Sequence, residues 1–77
     1  MTIQLRYFAR LREEVGRDGD QLDGDAGMTA ADAWASANPS LPMPANTLVA
    51  INQNYAQVDS PLQDGDEVAF FPPVTGG

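Results

Sequence analysis

Seventy-seven residues make a single small domain, with a core to match. Hydrophobic residues supply 43% of the chain, enough for a globular fold and too much for outright disorder. Cys, His and Lys are all absent, which removes disulfides, thiolate and imidazole chemistry, Schiff bases and a phosphate-loop lysine.

The groups left for chemistry are carboxylates, hydroxyls and four arginines, so a self-contained active site is not expected. No apolar run is long enough to cross a membrane. The first apolar stretch is broken by Arg6, Arg10 and Arg12, unlike a secretory signal, and a soluble cytoplasmic protein is the expectation. A net charge of −7 repels nucleic acid and anionic membrane and favours a basic protein partner. Arg6, Arg10, Arg12 and Arg17 fall in one short stretch and read as a solvated helix face.

In chain order, Thr2 to Tyr7 alternates, with Ile3, Leu5 and Tyr7 sharing one face of a strand. Phe8 breaks that alternation and points to the other face. Ala9 to Val15 reads as a short helix with Leu11 and Val15 inward and Gly16 as its stop. Asp18 to Asp25 is turn-rich, with at most a weak edge strand around Leu22. Thr29 and Asp32 form an approximate capping box for a helix over Ala30 to Ala37, whose stripe is Ala30, Ala33, Trp34 and Ala37. Asn38-Pro39 ends that helix, and Pro42 and Pro44 keep Ser40 to Ala45 in loop. Leu48 to Ile51 reads as a buried strand, Asn52 to Asn54 as a turn, and Tyr55 to Val58 as a short segment after it. Glu67 to Phe71 is the last strand, closed by Pro72-Pro73. Strand, helix, loop, longer helix and strands together make an α+β domain with a helix on one face of a sheet.

Three Asp-Gly-Asp triplets, at 18–20, 23–25 and 64–66, raise the question of calcium. A twelve-residue calcium loop starting at Asp18 needs an oxygen ligand fifth and glycine sixth, where Leu22 and Asp23 stand; a start at Asp23 meets Gly27 and Met28. The triplets therefore read as solvated turns, with no metal site.

The ending carries the functional signal. Pro72-Pro73 stiffens the chain so that the last residues project. Gly76 and Gly77 form a probe without side chains, able to enter a narrow tunnel, with nothing crowding the terminal carboxyl carbon. The stretch from Leu62 through Asp64-Gly65-Asp66-Glu67-Val68-Ala69-Phe70-Phe71-Pro72-Pro73-Val74-Thr75-Gly76-Gly77 resembles the end of the small subunits of molybdopterin synthase, a ubiquitin-like sulfur-carrier family. Leu5 to Glu13 and Val49 to Gln53 are similar to that family too, while 18–46 matches in pattern alone.

The resemblance implies a β-grasp domain over 1–71, a mixed sheet with a helix packed on one face, followed by an extended tail over 72–77. It implies a carrier cycle in which the Gly77 carboxylate is adenylated by a ubiquitin-activating-like partner enzyme that uses ATP. A thiocarboxylate then forms and donates sulfur to cyclic pyranopterin monophosphate inside the large synthase subunit, in a complex of two small and two large subunits. The resemblance implies no cofactor bound by this chain. Phe8, Tyr55 and Phe71 become a docking patch beside the tail of Pro72, Pro73, Val74 and Thr75, with Gly76 entering the tunnel. Strand parity puts Val68 and Phe70 on one face and Ala69 and Phe71 on the other. Sulfur carriers of thiamine or cysteine-type pathways, and ubiquitin-like protein modifiers, are the alternatives.

Overall fold

The computed structural model describes residues 1–73; Val74, Thr75, Gly76 and Gly77 lie outside the described residues. Its elements run β1 (Thr2–Tyr7), α1 (Arg10–Val15), β2 (Gly19–Asp23), α2 (Ala30–Ala37), β3 (Leu48–Ile51), β4 (Asn54–Ala56) and β5 (Glu67–Phe71). The five strands form one sheet in the order β2-β1-β5-β3-β4. β1 and β5 pair in parallel, with Leu5 opposite Val68 and Tyr7 opposite Phe70. Every other pairing is antiparallel. The first and last strands thus lie side by side in the middle of a mixed sheet with α2 on one face, which is the β-grasp arrangement.

Alternation decides which face is buried. Ile3, Leu5 and Tyr7 of β1, Val49 of β3, and Val68 and Phe70 of β5 point to the helix side and are all but sealed from solvent. Ala30, Ala33 and Trp34 close the core from α2, and Leu11 from α1. Trp34 stands edge-on to both Tyr7 (ring centroids 5.5 Å apart) and Phe70 (5.1 Å), a geometry that aromatic quadrupoles favour. Its indole N–H donates to the Leu41 carbonyl at 2.7 Å, so burying the ring strands no polar atom and ties the 38–47 loop to α2.

The caps match their sequence signals. The Thr29 hydroxyl accepts from the Asp32 N–H, and the Asp32 carboxylate accepts from the Thr29 N–H, a complete capping box. Gly16 ends α1 in the left-handed region at φ 83°, its N–H returning to the Arg12 carbonyl.

Expectations change in several places: β3 buries only Val49, and Asn54 belongs to β4 rather than to the turn before it. Ala9 is not helical: it caps α1 at φ 54°, ψ −134°, a conformation glycine adopts far more readily, because the chain must turn sharply out of β1. The acidic 18–25 segment holds a full five-residue edge strand rather than a trace of one. Its strand character comes from pairing with β1: Leu22 lies opposite Ile3, and the Gln4 amide donates to the Gln21 side-chain oxygen at 2.9 Å. Finally, the arginines do not share a helix face. Arg6 sits on β1 against Glu67 (3.4 Å), Arg12 on α1 near Asp18 (3.8 Å), and Arg17 beyond α1 on Asp20 (2.8 Å).

Candidate functional site

The sheet face away from α2 is open, and its residues are set by the same alternation. One row across the strands reads Arg6, Ala69, Ala50, Tyr55; the next pairs Phe71 with Leu48. Phe8 continues the outward parity of β1, and its N–H donates to the Phe70 carbonyl at 3.0 Å, which sets it beside the end of β5. Phe8 is 47% and Tyr55 77% exposed, whereas Phe71 is half-buried. The Tyr55 and Phe71 rings meet at 5.8 Å between centroids. Between them β3 offers only the methyl group of Ala50 in Tyr55's row, so the larger ring can lean across.

An apolar patch of two exposed aromatics and a half-buried third, on a chain of charge −7, is what a protein interface exposes and a free surface avoids. It ends where β5 ends: Phe71 is followed by the half-buried Pro72 and Pro73, which leave the sheet with no donor to offer it. Phe71 is neither core nor fully exposed, because Tyr55 covers it. Pro72 and Pro73 lie next to the patch. The proposed roles of Val74, Thr75, Gly76 and Gly77 fall outside the described residues.

Two polar arrangements brace the sheet, one at the hairpin of this face and one on the helix side. Asn52 and Gln53 both take positive φ, 51° and 71°, making the tight hairpin that carries Tyr55. Asn52 then locks onto the start of β5. Its amide donates to Asp66 at 2.8 Å, its side-chain oxygen accepts from the Glu67 N–H at 3.0 Å, and its own N–H donates to the Glu67 carbonyl.

The second arrangement joins β1, β2 and α2. The Tyr7 hydroxyl donates to Asp20 at 2.8 Å and accepts from the Asn38 amide at 3.0 Å. Arg17 grips the Asp20 carboxylate and donates to the Asn38 side-chain oxygen at 2.7 Å. The Arg17 bond holds the Asp20 carboxyl below its usual range, and burial pushes the Tyr7 phenol up. The available signal was Tyr7 itself: a tyrosine at an inward strand position requires a partner for its hydroxyl.

Two of the three Asp-Gly-Asp triplets, 18–20 and 64–66, are used by the chain's own backbone and side chains. Asp64 accepts from the Thr2 N–H, Asp66 from the Gln63 N–H and from Asn52, and Asp20 from Tyr7 and Arg17.

Residues 5–77 match the ThiS family. The chain is 42% identical over 84 aligned positions to the molybdopterin synthase sulfur carrier subunit of Escherichia coli (strain K12), an alignment covering 97% of this chain and 99% of that one. The sulfur carrier subunit of Haemophilus influenzae is 39% identical with the same coverage. Among solved structures, small archaeal modifier protein 1 of H. volcanii superposes with a TM-score of 0.78 at 28% identity, covering 95% of this chain and 98% of that one. With its β-grasp core and its sequence matched nearly end to end, the chain belongs to the ThiS family and stands within it beside the molybdopterin synthase sulfur carrier subunits.

Proposed function

We propose that this protein is the sulfur carrier subunit of a molybdopterin synthase, with the carboxylate of Gly77 as the group that carries the sulfur. The observation that carries the reading is the family match running through Gly77, joined to 42% identity with a sulfur carrier subunit over nearly the full length of both chains.

The chemistry suits the residues at hand. A carboxylate is a poor electrophile, and its attack on the α-phosphorus of ATP on a partner enzyme, with release of pyrophosphate, gives it AMP as a leaving group. A sulfur donor displaces AMP and leaves a thiocarboxylate, which is ionised near neutral pH and nucleophilic without a neighbouring base. The tail of Pro72, Pro73, Val74, Thr75, Gly76 and Gly77 then enters the large synthase subunit, while Phe8, Tyr55 and Phe71 dock on its surface. Two such deliveries to cyclic pyranopterin monophosphate build the dithiolene. The partner supplies acid, base and substrate binding; the carrier supplies sulfur and positioning. A complex of two small and two large subunits in the cytoplasm is the assembly that goes with this role. The chain has no lysine for its activated terminus to acylate.

Intact-mass measurement tests the reading. Incubation with the adenylating enzyme, ATP and a sulfur donor should exchange one oxygen for sulfur, a gain of about 16 Da, and deletion of Gly77 should abolish it. Unchanged mass under conditions that charge an established carrier would overturn the proposal. The likeness to an archaeal modifier protein favours one second reading, attachment to lysines of other proteins, which would instead yield conjugates of higher mass.

A further inference from the structure

On the helix side of the sheet, α2 and the loop after it leave a second concave apolar surface, of about 390 Å³. Ala31, Trp34 and Ala35 form one wall, at helical spacings that bring them to one side of α2, and Leu41, Met43 and Val58 complete it. The groove is preformed. The Trp34 N–H to Leu41 carbonyl bond pins the loop to the helix, and the Ala31 N–H donates to the Val58 carbonyl at 2.8 Å, fixing the other rim. Its principal polar side chain, Asn38, is already committed to Tyr7, Trp34 and Arg17, so the groove asks for an apolar guest. Val58 is 41% exposed there, an aliphatic side chain facing solvent with nothing of its own chain to cover it among the described residues.

Charge decides between guests. The charged chain neighbours of Ala31 and Val58 are Asp32 and Asp59, both exposed, and neither is in an ion pair among the described residues. No cation lines the groove among the described residues; Arg17 touches Asn38 at one end, with its charge matched by Asp20. A second copy of the chain would set −7 against −7 and bring these carboxylates together.

We infer that this groove is a docking site for a basic segment of a partner protein, one or two large apolar side chains seated against Trp34 and flanking Lys or Arg residues facing Asp32 and Asp59. The groove and the Phe8, Tyr55, Phe71 patch lie on opposite faces of the sheet. A partner held at the groove therefore leaves the tail-side face free, and two proteins can hold the domain at once. This inference does not depend on the sulfur chemistry.

The chain contains one tryptophan, which serves as the reporter. The full-length protein is titrated with a leucine-centred peptide flanked by lysines and arginines, following Trp34 emission and backbone amide shifts. Controls are the same peptide with glutamates for its basic residues and the same peptide with alanines for its leucines. Expected results are shifts confined to α2, Leu41, Met43 and Val58, and binding at least tenfold weaker for both control peptides. Ala35→Glu, a change at an exposed helix position that fills the groove mouth, should also weaken binding tenfold with an unchanged melting curve; Ala35→Ser should not. The inference is overturned by no shift at millimolar peptide, by equal binding of the glutamate peptide, or by shifts at Tyr55 and Phe71 instead. It is equally overturned if dilution alone moves the groove signals, which would mean a second copy, or if removing 74–77 does so, which would mean the chain's own end occupies it.

Discussion

The Tyr55 ring on β4 leans across β3 to lie 5.8 Å from the Phe71 ring on β5, at an interplanar angle of 55°. The contact joins an edge strand to the strand that leads into the tail. It makes the two aromatics one surface rather than two isolated side chains.

Tyr55→Ala should separate docking from folding. Tyr55 is 77% exposed, so its loss should leave the melting temperature within about 3 °C. Affinity for the large synthase subunit should fall at least tenfold, about 1.4 kcal/mol, as for a central interface aromatic. Calorimetric titration beside a thermal melt checks both; unchanged affinity would remove Tyr55 from the interface.

Trp34→Ala should do the reverse. The ring is buried between Tyr7 and Phe70, and its removal should cost about 3–5 kcal/mol, a large part of what a domain this small can hold. Far-ultraviolet circular dichroism at 37 °C should show a largely unfolded chain.

Gln53→Gly should stabilise. Gln53 holds φ 71° in the β3–β4 hairpin, where a side chain is strained by about 1 kcal/mol and glycine is not. Asn52→Ala should destabilise, because it removes the bonds to Asp66 and Glu67 together with a residue tolerant of positive φ. Urea melts of the two variants should move in opposite directions.

Acid should loosen the Tyr7–Asp20–Arg17–Asn38 cluster. The Asp20 carboxyl lies below its ordinary value of 3.8 in the folded chain, chiefly through Arg17. Its contribution to stability is therefore complete above that value and is lost as pH falls through it toward the folded value. Asp20→Asn should lower stability at pH 7 and lose less on acidification than the unaltered chain. Chemical denaturation across the pH range checks this, and parallel curves would contradict it.

Most of the fold is legible in the sequence because its signals are local. The Thr29–Asp32 pair marks a helix start, the alternation of Ile3, Leu5 and Tyr7 gives a strand and its buried face, and Val68 and Phe70 predict the side on which Phe71 falls. The features that are not legible depend on partners distant in sequence. β2 is a full strand because β1 lies beside it, and within Asp18 to Asp25 only Leu22 hints at one. Ala9 is strained because β1 must turn into α1 at that point. Tyr55 stands out by a family pattern, but its contact with Phe71 requires the register that places Ala50 between β4 and β5. The Arg17 bridge from β2 to α2 spans 21 residues between Arg17 and Asn38.

The central place of β5 has a mechanical consequence. The strand that leads into Pro72 and Pro73 is flanked by β1 on one side and β3 on the other, so tension on the tail runs along the strand axis. The hydrogen bonds of both ladders then bear it together as shear, rather than opening one after another from an edge. A partner can therefore draw on the tail without peeling the domain apart. The same arrangement delays folding during synthesis, since the middle of the sheet leaves the ribosome after every other described strand and helix.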